Sequence, residues 1–80
     1  MQMNELISKR IRNLIKERNW TNYHLARRAG IPCSTLYYAL GAKGETIKMT
    51  TLLNICRGFE ITINDFFDDE MFELENIADD

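Results

Sequence analysis

The stretch that most limits what this chain can fold into is Thr21 to Gly41, TNYHLARRAGIPCSTLYYALG. Leu25 and Ala26 form one inward group, and Leu36, Ala39 and Leu40 a second, each at the spacing of one helix face. Between the groups stands Ala29-Gly30-Ile31-Pro32. Gly30 can take a positive φ without steric cost, so a first helix can stop there and the chain can turn sharply. Pro32 suits the start of the next helix, where the missing N–H removes no intrahelical bond. Small Ala26 and Ala29 let the second helix cross close above the first. The stretch therefore reads as two short helices joined by a tight bend.

The flanks read as further helices. Asn4 is the expected N-cap of a first helix, with Glu5 in its first turn. Ile7, Ile11, Leu14 and Ile15 follow at i, i+4, i+7 and i+8, one apolar stripe, while Lys9, Arg10, Arg12, Lys16 and Arg18 take the other faces. That helix should end near Arg18 or Asn19. Thr21 then caps the second helix, and Trp20 before the cap pairs with Leu25 as a hydrophobic staple. Gly41 marks the end of the third helix, and Ala42 to Lys48 is a loop containing Gly44 and two lysines. A fourth helix from Met49 to Gly58 should turn Met49, Leu52, Leu53 and Cys56 inward, with Phe59 and Ile61 closing the core. Thr62-Ile63-Asn64-Asp65 has the capping-box pattern, a hydroxyl followed three residues later by an acid, and opens a short fifth helix bearing Ile63, Phe66 and Phe67. Phe67, Met71, Leu74 and Ala78 fall at helical spacing among acids, so a sixth, amphipathic helix is expected from residue 68 or 69. No alternating run suggests a strand. The fold class is all-α.

Eighty residues make one small domain, and an apolar fraction of 45% suffices for a single core. There is no run of about 18 apolar residues to span a membrane. The first ten residues, MQMNELISKR, contain no signal-like apolar stretch. Two cysteines, Cys33 and Cys56, are too few for a disulfide framework, which points to a reducing cytoplasm. The net charge of −2 hides an asymmetry. Residues 1–64 hold all ten Lys and Arg and four acids, a net +6; residues 65–80 hold eight acids and no base, a net −8. A basic body of residues 1–68 followed by an acidic tail of 69–80 is compatible with phosphate binding by the body alone.

Two helices at a sharp bend, on a basic body, form a helix-turn-helix over residues 21–41, with the second helix offered to a DNA major groove. The residues Leu25-Ala26, Gly30-Ile31, Ser34-Thr35-Leu36, Thr51-Leu52-Leu53-Asn54-Ile55-Cys56 and Ile61-Thr62-Ile63-Asn64-Asp65-Phe66-Phe67 stand in an order and spacing that resembles the Cro and phage-repressor (XRE-type) helix-turn-helix family. The resemblance covers roughly residues 7 to 67. It implies a compact five-helix, lambda-repressor-like DNA-binding domain and a dimeric transcriptional regulator. By position it implies base contacts by Cys33, Ser34, Tyr37 and Tyr38, and phosphate contacts by Asn22, Lys43 and Lys48. Helix N-termini and lysines are natural phosphate partners.

The chain also departs from the family pattern. Where many members pair a buried Arg with a Glu, this chain has Ile15 and Leu40, which should touch. Such an apolar replacement can be neutral or stabilising. Pro32 stands for the usual hydroxyl cap, Cys33 for a frequent Gln, and Glu60 for the usual Gly after the fourth helix, at a cost if that residue is left-handed. The loop before the fourth helix is about one residue longer than the commonest length. No Arg, Asn or Gln stands on Cys33 to Leu40, so bidentate base contacts are missing. Ser34 and the tyrosine hydroxyls remain to read bases, and the rings can pack on thymine methyls or sugars. Part of the specificity would then come through DNA shape.

The expected function is a sequence-specific DNA-binding transcriptional regulator, a repressor, working as a homodimer through Phe67, Met71 and Leu74. The competing reading is a protein-interaction module whose acidic tail docks on a partner or lies over the basic face. No Gly-rich phosphate loop or nucleophile–base pair appears, so no enzyme is expected. His24 and Cys33 supply two ligands where a structural metal wants four, so no metal and no cofactor are expected.

Overall fold

The apolar stripe of the first helix is buried in a single core cluster with residues from four later helices. A computed structural model describes residues 2–41 and 47–77, which form five α-helices and two short 3-10 turns and, among the described residues, no strand. Helix α1 spans Met3–Glu17 and buries Ile7, Ile11, Leu14 and Ile15, joined by Leu6. Its cap lies two residues before the expected Asn4. The Gln2 N–H donates to Glu5 Oε1 at 3.3 Å, while Asn4 sits in the first turn and accepts from the Glu5 N–H at 3.1 Å. Glu5 at the third helical position reaches back to the residue before the helix, and this sets the start.

Helix α2 spans Asn22–Ala29 and α3 spans Cys33–Gly41. Thr21 caps α2 as expected, its hydroxyl accepting from the His24 N–H at 3.0 Å. Gly30 adopts φ 69°, and the Ile31 N–H closes back onto the Ala26 carbonyl at 3.1 Å. The Pro32 carbonyl then receives the Thr35 and Leu36 N–H groups, so proline opens α3 without a lost bond. Trp20, expected to staple Leu25, lays its ring on Phe59 at 5.5 Å and 12°, with His24 edge-on at 4.6 Å. The angle between α1 and α2 is thus tied to α4.

Helix α4 spans Met49–Phe59 and is rotated from the expected face. Met49 is 67% exposed and Leu53 38%, while Leu52, Ile55, Cys56 and Phe59 face the core. Both stripes have helical spacing. The crossing with α2 decides between them, because α4 turns Gly58 against Ala29 so closely that an added Cβ would lie 2.9 Å from the Ala29 nitrogen. The small Ala29, expected to admit α3, also admits α4. Burial pushes the Cys56 thiol pKa up, which suits a packing role. Ile15 and Leu40, expected to touch, are both buried in the one core cluster.

Helix α5 spans Ile63–Phe67, with the expected capping box: Asp65 N–H to Thr62 Oγ1 at 3.0 Å and Thr62 N–H to Asp65 Oδ2 at 3.5 Å. The sixth α-helix does not form among the described residues. Two 3-10 turns, Glu70–Phe72 and Leu74–Asn76, stand in its place. Asp69, Glu70 and Glu73 would repel one another at i, i+3 and i+4 in a continuous helix, and residues 65–80 contain no Lys or Arg to separate them along it. Phe72 packs instead against Phe66 and Phe67, with centroids at 6.2 and 4.8 Å. Ala78 lies outside the described residues.

Three arginines at or near α1 lie off its apolar stripe, as expected. Each donates to C-terminal carbonyls of another helix. Arg10 reaches Phe66 O at 2.7 Å and Asp65 O at 2.9 Å at the end of α5, and lies 3.6 Å from Asp69. Arg12 donates to Leu40 O near the end of α3 and to Ser8 Oγ at 3.3 Å. Arg18 donates to Phe59 O at the end of α4 while covering the Trp20 and Phe59 rings. Cations at these positions satisfy carbonyls that have no partner within their own helix and oppose the negative end of its dipole.

Candidate nucleic-acid interface

Helix α3 has an inner and an outer side set by its own sequence. Leu36 and Leu40 are buried, and they hold the helix down on the core. The opposite side shows Ser34, Tyr37 and Tyr38, with Tyr37 59% and Tyr38 65% exposed. Adjacent tyrosines point about 100° apart on a helix, so the two rings cover different parts of that side. Ser34 lies three residues before Tyr37 and four before Tyr38, and so stands beside both. Cys33 is half-buried and packs against the core, which turns it partly away from this face. Of the four residues expected to meet base edges, Ser34, Tyr37 and Tyr38 are presented outward.

Leu40, the penultimate residue of α3, is held through its carbonyl as well as its side chain. The buried Ser8 hydroxyl of α1 donates to Leu40 O at 2.8 Å, beside the bond from Arg12. Together they hold the C-terminal end of α3 on α1. These bonds join residues 32 and 28 positions apart, so no local pattern could have announced them. The apolar Ile15 and Leu40 thus fill the core, while polar tethering passes to the Leu40 backbone.

The phosphate-directed residues are placed unevenly. Asn22 is the first residue of α2 and is half-buried, next to the N-terminal N–H groups. Lys48 is exposed at the N-cap of α4. It shares a cleft of about 470 Å³ with Ser34, Thr35, Tyr38, Ala39, Ile47 and Thr51, so it directly borders the outer side of α3. Thr51, not among the expected contact residues, stands in the first turn of α4 and lines the same cleft. Lys43 lies outside the described residues. Both Asn22 and Lys48 mark helix N-termini, where positive dipole ends and N–H donors favour an anion. Arg27 lies over the exposed Tyr23 ring at 5.9 Å, and Arg28 pairs with Glu60 at 3.2 Å across exposed surface.

The residues expected to join two copies lie at the other end of the chain. The Phe67 ring is half-buried, edge-on to Phe66 at 5.0 Å and to Phe72. Met71 is half-buried, and Leu74 is 87% exposed.

Against known families, the model of the Cro/C1-type HTH DNA-binding domain matches residues 10–71. The match takes in all of α2 to α5, most of α1, and the first two residues of the turn that carries Phe72. Comparison with curated proteins and with solved structures finds no match.

Proposed function

The chain belongs to the Cro/C1-type helix-turn-helix DNA-binding family, and on that premise we propose that it is a sequence-specific transcriptional repressor acting as a homodimer. Helix α3 enters the major groove with Ser34, Tyr37 and Tyr38 against base edges and Cys33 at the groove margin. Asn22, Lys43 and Lys48 hold the flanking phosphates. The two copies meet through Phe67, Met71 and Leu74, setting two half-sites about one helical turn apart, roughly 34 Å. The observation that carries the reading is the outward side of α3, held at both ends and bordered by Lys48.

A mobility-shift titration against the DNA upstream of its own gene tests this. Binding should weaken steeply as salt rises, because each phosphate contact releases condensed counterions. Binding that ignores salt, or no binding, would refute the proposal.

The exposed Leu74 among Glu73, Glu75 and Glu70 favours a second use of the tail, as a docking surface for another protein. Asp69 and Phe72 are packed into the body, so the informative truncation removes residues 73–80 and leaves them in place. Lost dimerisation would assign the removed segment to the dimer. Raised DNA affinity would assign it to competition with DNA. Unchanged dimer and affinity would favour the partner.

A further inference from the structure

The outward side of α3 is chemically unusual for a surface that reads bases. The helix carries no charge at all, and no guanidinium, ammonium or carboxamide. Its outward hydrogen-bonding groups are hydroxyls, each with one proton to give. The distinctions that separate guanine and adenine in the major groove rest mainly on bidentate donors and acceptors, and α3 has none of these. What it offers in quantity is apolar ring surface, on Tyr37 and Tyr38, both well over half exposed. The apolar walls Ala39 and Ile47 continue that surface along the adjoining cleft.

Placing such a ring against a base edge has a sign that depends on the base. A ring over guanine O6 and N7, or over a cytosine amino group, strips water from a polar atom and returns no full set of hydrogen bonds, which is unfavourable. The thymine C5-methyl is the one apolar group on the major-groove edge. Only there do both partners gain by leaving water. On the reading that α3 is the groove-entering helix, we infer that Tyr37 and Tyr38 recognise thymine methyl groups, so that the DNA this protein selects carries thymines under α3. Ser34, sharing the face with both rings, adds a hydroxyl contact that fixes the register. Attraction to the duplex then comes from the flanks, from Lys48 and the N-termini of α2 and α4, and selection comes from methyl burial.

The test is to select tight-binding duplexes from a random pool, then replace thymine by uracil one position at a time. The swap deletes a single methyl and leaves base pairing intact. Each methyl under a ring should be worth about four-fold in affinity, the worth of one buried CH₂ group. Tyr38→Phe should keep the thymine-to-uracil ratio at its position, and Tyr38→Ala should bring it to one. Tyr38 is largely exposed, so neither variant threatens the fold. Selected sites without thymine under α3, or uracil bound as tightly as thymine, would overturn the inference while leaving DNA binding intact. A pool yielding no bound duplex would instead refute the functional reading on which it stands.

Discussion

Replacing Gly58 with Ala tests how α4 sits on α2. The new Cβ would lie 2.9 Å from the Ala29 nitrogen, 3.1 Å from its Cα and 3.2 Å from its Cβ. Two of those three atoms are backbone, so no rotamer change relieves the contact. The helices must part by several tenths of an ångström along the seam where Gly58 meets Ala29, beside the buried core that holds Ala26, Ile55 and Phe59. Overpacking of this kind costs about 1–3 kcal/mol. Against it stands the intrinsic gain of Ala over Gly in a helix, at most about 1 kcal/mol and less near a helix end. The net should be a loss of about 1–2 kcal/mol. For a domain of this size that lowers the melting temperature by roughly 5–15 °C. Gly41→Ala is the control, with nothing within 4 Å of its Cβ, and should be neutral or mildly stabilising. Ala29→Gly on top of Gly58→Ala should fail to rescue, since it removes only the 3.2 Å contact. Thermal and urea melts followed by circular dichroism give the numbers. Fluorescence of the single tryptophan, Trp20, stacked on Phe59 beside the seam, reports the same event locally. If Gly58→Ala matched or exceeded the wild type in stability, the account of the seam would be wrong.

Three further outcomes follow from the same geometry. Glu60 sits at φ 60°, a conformation that costs a non-glycine residue about 1 kcal/mol, and its ion pair with Arg28 is exposed and worth little; Glu60→Gly should raise the urea midpoint by the equivalent of about 0.5 kcal/mol. Arg12→Met deletes the guanidinium that holds Leu40 O and should weaken DNA binding without changing the slope of affinity against salt, whereas Lys48→Gln should lower that slope by about one; equal slopes for both variants would remove Lys48 from the phosphate contacts. Ending the chain at residue 68 strips Phe72 from the Phe66–Phe67 pair and Asp69 from Arg10, and should cost about 1–2 kcal/mol in a urea melt, while ending it at 72 should cost little.

Most of the helical frame was legible because it is written in short-range terms. The α1 stripe, the caps at Thr21 and Thr62 and the left-handed Gly30 each depend on neighbours within a turn or two, and each stands where expected. The errors lie where a distant surface decides. Met49 and Leu53 shared helical spacing with Leu52 and Cys56, and only the Gly58–Ala29 crossing selects which stripe goes inside. Phe67, Met71 and Leu74 made a tidy helical pattern, yet Phe72, outside that pattern, found the Phe66 ring and the acids around it resisted a helix. The partners of Arg10, Arg12 and Arg18 were not legible because a guanidinium says nothing locally about a carbonyl 28 to 56 residues away. In the interface, the inward Leu36 and Leu40 followed from α3 periodicity and Ser34, Tyr37 and Tyr38 from the family resemblance, while the Ser8 tether and the cleft shared by Lys48 and Thr51 needed the folded chain.

Because the guanidiniums of Arg10, Arg12 and Arg18 finish the far ends of three other helices, the N-terminal segment works as a common clasp. Peeling it away would expose three sets of carbonyl groups to water in a single step. Amide-exchange protection near the ends of α3, α4 and α5 should therefore disappear together, at one opening energy, and a partner or protease that grips α1 and Arg18 would slacken α3 without touching it.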